Sequence, residues 1–121
     1  MTTTSWELYV EDTVLVANFS DGMPSDAAEY QKVNEQFERL AARSTVDAHL
    51  SLLNMSSSLN RDVFEKAQEA AAVGVEYGID KWAIVSEGIK SMALSSQVKD
   101  VPGVEVEAFT TKSEAIEWAT E

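Results

Sequence analysis

The sequence predicts one α/β domain spanning residues 1–121, a mixed but mostly parallel sheet with helices, in the order β-β-α-β-α-β-α-β-α. Three observations predict it. Short segments rich in β-branched and aromatic residues alternate with longer segments of helical period. Strands separated by helices are joined by right-handed crossovers, which makes the strands from residue 13 onward mostly parallel. The length suits one domain with its own core, and no repeat, linker or low-complexity tract divides the chain.

Residues 6–10 (WELYV) and 13–19 (TVLVANF) are strand-like and separated only by Glu11 and Asp12, so they form a β-hairpin whose turn lacks the usual glycine. SDGMPS marks a loop, and Ser25 is placed to accept from the first free N–H groups of the next helix. From Asp26 to about Arg43, Tyr30, Val33, Phe37, Leu40 and Ala41 recur at helical spacing, with Glu29, Lys32, Glu35, Glu38 and Arg39 mostly elsewhere. In VDAHLSLL, Val46, Ala48, Leu50 and Leu52 alternate with Asp47, His49, Ser51 and Leu53. One face of that strand is apolar and the other mixed, so unequal cover is expected.

A second helix runs from about Asn60 to Tyr77, with Val63, Phe64, Ala67, Ala70, Ala71 and Gly74 inward and Gly78 and Asp80 ending it. KWAIVS, residues 81–86, is short, apolar and flanked by breakers, as a buried strand is. Residues 88–98 fit a shorter helix with Ile89, Met92 and Ala93 inward. Pro102 and Gly103 suit the centre of a type II turn before a strand over 104–109. Thr111 with Glu114 three residues later is a capping box, opening a last helix docked by Ile116 with Trp118 or Ala119.

The bulk composition excludes several classes. No apolar run approaches the roughly 18 residues of a membrane span, and MTTTSWELYV lacks the pattern of a signal peptide. With no cysteine the fold uses neither disulfides nor thiolates, so a cytoplasmic location is expected. Twenty-one acidic residues against nine basic ones give a net charge of −12. That field repels phosphate backbones and anionic membranes, arguing against nucleic acid and stable membrane insertion. It also suits a halophilic setting, where molar salt shortens the Debye length to about 3 Å and screens self-repulsion.

Parallel strands bring their C-terminal ends to one edge. This gathers Ser20, Asp21 and Gly22, then Asn54 and Ser56–Ser58, then Ser86 to Gly88. In open α/β sheets ligands bind at such an edge, where helix N-termini offer free N–H groups.

The order and spacing of VEDTVLVANF, QKVNEQFERL, HLSLLN, KWAIVS and VEVEAFTTKSEAIEW resemble the STAS family, and within it the SpoIIAA-like proteins, over nearly the full length. In anti-anti-sigma members, an Asp-Ser-Ser-Gly-Leu motif after the central strand holds a phosphorylatable serine at a helix N-terminus. Here the region reads NMSSSLN, with adjacent serines but no preceding aspartate, and with Leu59 at the glycine position if Ser57 and Ser58 are aligned with the pair. The resemblance implies a non-enzymatic regulatory protein that binds an unidentified protein partner. Its contacts or phosphosite would lie among Asn54, Ser56, Ser57, Ser58 and Asn60, with Ser20, Asp21, Ser86 and Gly88 as further loop-edge candidates. It also allows a homodimer and, as the alternative, a carrier or sensor of a small apolar or amphipathic ligand.

The residues themselves add no catalytic signature. His49, the only histidine, shares a strand face with Asp47 and Ser51, but residues two apart on a strand stand roughly 7 Å apart, too far for a catalytic relay, and a partly exposed strand histidine is expected. A hydrolase using Ser58 or Ser86 with His49 is the least supported class. No cofactor or metal is expected: carboxylate pairs such as Glu65 and Glu69 suit a solvated surface, and the glycines form no phosphate loop. Ser56–Ser58 suit, ahead of a phosphosite or ligand contact, the plain role of satisfying backbone groups at a strand-to-helix turn. Trp6, Trp82 and Trp118 are read as core before pocket.

Overall fold

A computed structural model describes residues 6–20, 27–43, 45–54, 59–86 and 90–121. The elements are β1 (Trp6–Glu11), β2 (Val14–Phe19), α1 (Ala27–Arg43), β3 (Ala48–Leu53), α2 (Arg61–Glu76), β4 (Lys81–Val85), α3 (Lys90–Val98), β5 (Glu105–Phe109) and α4 (Lys112–Ala119). They form one five-stranded sheet in sequence order, with β1 antiparallel to β2 and every later pair parallel. This is the expected mixed α/β architecture. No helix among the described residues is long and apolar enough to cross a membrane.

Local chemistry explains several boundaries. Asp12 makes the hairpin turn at φ 56°, a left-handed conformation that aspartate tolerates better than most residues, so the turn closes without glycine. Asn60 caps α2, its side chain accepting from Val63 N at 3.0 Å, and Thr111 caps α4 by accepting from Glu114 N at 3.3 Å. Gly103 takes φ +88°, as the third position of a type II turn requires. The cap expected of Ser25 lies outside the described residues.

The two faces of the sheet are covered unequally. Three helices lie on one side, where Leu15, Ala17, Phe19, Trp82 and Ile84 meet Tyr30, Val33 and Phe37 of α1, Val63, Ala70 and Ala71 of α2, and Leu94 and Val98 of α3. On the other, Val14, Val16, Ala48, Leu50 and Ala83 are covered by α4 through Ala115 and Ala119. Gly74 allows α2 its close approach, since a Cβ there would stand 3.3 Å from Phe37 Cζ and 3.4 Å from Ile79 Cβ.

Two expectations need correction. The mixed face of β3 is not the poorly covered one: all six residues of the strand are buried, and the face carrying His49, Ser51 and Leu53 lies under the thicker helical layer. In α3 the inward residues are Leu94, Ser95 and Val98, whereas Met92 is 68% exposed and Ala93 is also exposed. Leu94 and Val98, one turn apart, join the core with α1 and α2, which rotates Met92 to solvent. Ile89 lies outside the described residues.

Candidate functional site

The parallel register brings the ends of β2, β3 and β4 to one edge. Ser20 and Asn54 are exposed there and held close: Asn54 N donates to Phe19 O at 2.8 Å, and Asn54 Nδ2 donates to Asn18 Oδ1, also at 2.8 Å. Asn60, likewise exposed, stands at the N-terminus of α2. The structure does not present Ser86 at this edge. It is only 6% exposed, and its N–H points to Phe109 O of β5 at 3.4 Å, so the neighbouring strand end covers it. Asp21, Ser56, Ser57, Ser58 and Gly88 lie outside the described residues.

Sequence reasoning missed a second feature. Between the sheet and the α1–α2 layer lies a cavity of about 40 Å³. Its floor is Ala17 and Phe19 of β2, His49, Ser51 and Leu53 of β3, and Trp82 of β4; its roof is Tyr30, Val33, Asn34 and Phe37 of α1 with Val63, Ala67 and Ala70 of α2. Asn34 Nδ2 donates to Lys66 O at 3.0 Å and Lys66 Nζ donates to Gln31 Oε1 at 2.7 Å, so the two roof helices are tied together. Among its lining residues, Asn34, Leu59 and Ala67 are partly exposed, which puts the rim beside the start of α2.

His49 is 3% exposed, not partly exposed, and its Nε2 lies 2.8 Å from Ser51 Oγ. The two side chains lean together across a backbone spacing that alone would keep them apart. Asp47 takes no part, being exposed and before the strand begins. The His49 ring stacks obliquely on Trp82 with centroids 4.0 Å apart and meets the edge of Phe37 at 5.2 Å. Burial pushes its pKa down to about 3, opposed only in part by the backbone of Leu15. An imidazole so weakly basic is a poor general base near neutral pH, which removes the support for the hydrolase class. Nδ1 of His49 and Nε1 of Trp82 are both buried without a well-formed hydrogen bond, an arrangement that costs roughly 1–3 kcal/mol per group if nothing fills it.

Other charged groups serve the scaffold. Glu65 pairs with Arg61 at 3.1 Å and Glu69 with Lys66 at 3.1 Å, so the two carboxylates have separate cations. Trp6 Nε1 donates to Glu29 Oε2 at 2.6 Å, tying β1 to α1 and holding the carboxyl below its usual range. Among the described residues no three His, Cys, Asp or Glu side chains gather to hold a metal ion.

Solved structures share this architecture. Protein TM1081 matches with a TM-score of 0.72 at 13% identity, over 100% of this chain and 93% of its own. RsbS of Moorella thermoacetica, as a serine-to-glutamate variant, matches with a TM-score of 0.71 at 8% identity, over 97% and 96%. A DUF3478-family protein of Shewanella loihica PV-4, described as having a SpoIIAA-like fold, matches with a TM-score of 0.62 at 15% identity, over 98% of both chains. The chain has the STAS, or SpoIIAA-like, fold. No family model matches the sequence, and no curated protein sequence matches it. In this STAS-like fold the loop edge and the cavity are neighbours: Leu59, on the cavity rim, directly precedes the Asn60 cap.

Proposed function

We propose that this protein is a non-enzymatic regulatory protein that binds a protein partner through the loop edge, with Asn54, Asn60 and the intervening serines in the contact. The observation that supports it is the exposed polar edge at Ser20, Asn54 and Asn60, fixed by the Asn54 bonds to Phe19 and Asn18 and set against a helix N-terminus. Backbone N–H groups at such an end favour an acceptor or an anion. The likeness in fold to RsbS is in keeping with this reading. Phosphorylation of Ser58 or Ser57 would add about −1.5 to −2 charges beside that helix start and alter what can dock.

The test is affinity capture at native salt from cells of the protein's own source, comparing wild type with Asn54→Lys, Ser58→Asp and Ser58→Ala. The expected result is one partner held by wild type, about tenfold weaker with Asn54→Lys, and held differently by the two Ser58 variants. Equal retention of the same partner by all four proteins would overturn the proposal.

A further inference from the structure

We propose that the cavity beneath α1 and α2 is a binding site for a small uncharged molecule of a few carbon atoms bearing one hydroxyl or carbonyl oxygen, seated on His49 and Trp82. Three independent observations lead there.

The first is unmet hydrogen bonding. His49 and Trp82 face each other on paired strands, both 3% exposed, and both line the cavity. Their Nδ1 and Nε1 atoms are buried without a well-formed hydrogen bond, and the Leu15 backbone beside His49 offsets its burial only in part. The chemistry of the missing partner follows from the tautomer. If Ser51 donates to His49 Nε2, then Nδ1 carries the proton, and two donors await one acceptor, as a carbonyl supplies. If Nε2 donates to Ser51 Oγ instead, Nδ1 accepts and Trp82 donates, a pair that one hydroxyl satisfies.

The second is charge. Among the described residues no carboxylate, lysine or arginine lines the cavity, so a charged guest would lose its hydration with no counter-charge in return. The third is size and lining. About 40 Å³ exceeds the roughly 10–15 Å³ that one water needs, yet holds only a few heavy atoms. The lining surface is almost wholly aromatic and aliphatic, Phe19, Phe37 and Val63 among it, which favours a guest with an apolar body. Leu59 and Ala67, partly exposed at the rim, mark the side from which a guest would enter.

The site stands apart from the loop-edge reading and is tested without a partner. In the intact ¹⁵N-labelled protein the three tryptophans give three indole N–H signals, and Trp82→Phe assigns one of them. The probes are 1-propanol, acetone and, lacking oxygen, xenon. The expected result is a saturable shift of the Trp82 signal with propanol or acetone, with Kd on the order of 10 mM, while Trp6 and Trp118 stay still. Ala67→Leu, which narrows the rim, should weaken this at least about tenfold. Should that variant not fold, Trp82→Phe provides the check through the Leu53 and Leu94 methyl signals, losing oxygenated probes but not xenon. An unmoved Trp82 signal that keeps contact with slow water would show ordered water only and overturn the proposal. So would a response that never saturates, or equal affinity for xenon and propanol.

Discussion

Lowering the pH should destabilise this protein in large part through the buried His49. The ordinary pKa of His49 is 6.5, and burial among Phe37, Trp82 and the apolar roof lowers it to about 3 in the folded chain. Tyr30 is the other titratable side chain on the cavity among the described residues, and its pKa, raised by burial to about 12, keeps it neutral throughout. Between about pH 6.5 and 3 the unfolded chain binds a proton at His49 that the folded chain refuses. Stability therefore rises with pH across that window: the contribution is complete above 6.5 and is lost progressively on acidification. Going from pH 7 to about pH 4.5 removes about 2.5 kcal/mol, since each unit within the window is worth about 1.4 kcal/mol. Urea unfolding at both pH values, for wild type and His49→Gln, isolates this, because carboxylate titration is common to the two proteins. Wild type should lose about 2.5 kcal/mol more than the variant. An equal loss in both would show that His49 is protonated in the folded state and that the buried, neutral imidazole described above is wrong.

Two further predictions concern the scaffold. Gly103→Ala should cost about 1–2 kcal/mol in urea unfolding, because a Cβ at φ +88° is strained and would stand 3.2 Å from Val75 Cγ1; a neutral effect would mean that the turn does not hold this conformation. Raising salt from about 0.1 M to about 1 M should stabilise the fold as the Debye length falls from about 10 Å to about 3 Å and the −12 net charge is screened. Undiminished stability in dilute buffer would remove the halophilic reading.

Patterns that depend on neighbours in sequence were legible. The hairpin, the capping box at Thr111 and the turn at Pro102–Gly103 are local chemistry, and the structure keeps each where the residues put it, whereas Asn60, read only as the start of a helix, proves to be its cap. Alternation along β3 also identified which residues share a face. It gave no sign of what lies above that face, so His49 was expected to be half exposed when α1 and α2 bury it. The polar pair was misread for the same reason: a spacing along the strand says nothing of two side chains leaning together in a dry interior. In α3 the apolar residues Met92, Ala93, Leu94 and Val98 offer two possible stripes, and only packing against the rest of the core selects Leu94 and Val98. Ser86 reads as a loop residue because nothing nearby in sequence announces that the end of β5 will cover it. The two nitrogens without a well-formed hydrogen bond come from separate strands, and no sequence pattern joins them.

The placement of α4 bears on how the chain is made. It follows every strand of the sheet in sequence, and Lys112 Nζ reaches back to Tyr9 Oη at 3.2 Å and Glu11 Oε1 at 3.1 Å, across sequence separations of 103 and 101 residues. At its other end the Trp118 carbonyl accepts from Lys81 Nζ at 3.0 Å. Until these eight residues leave the ribosome, Val14, Val16, Leu50 and Ala83 have no helix over them. A nascent chain carrying every strand is still an incomplete fold with a bare apolar sheet, open to chaperones and to self-association. Such distant contacts also slow folding, because loop closure must come before any reward from burial. Synthesis of α4 is thus the step that supplies the cover for this face of the sheet.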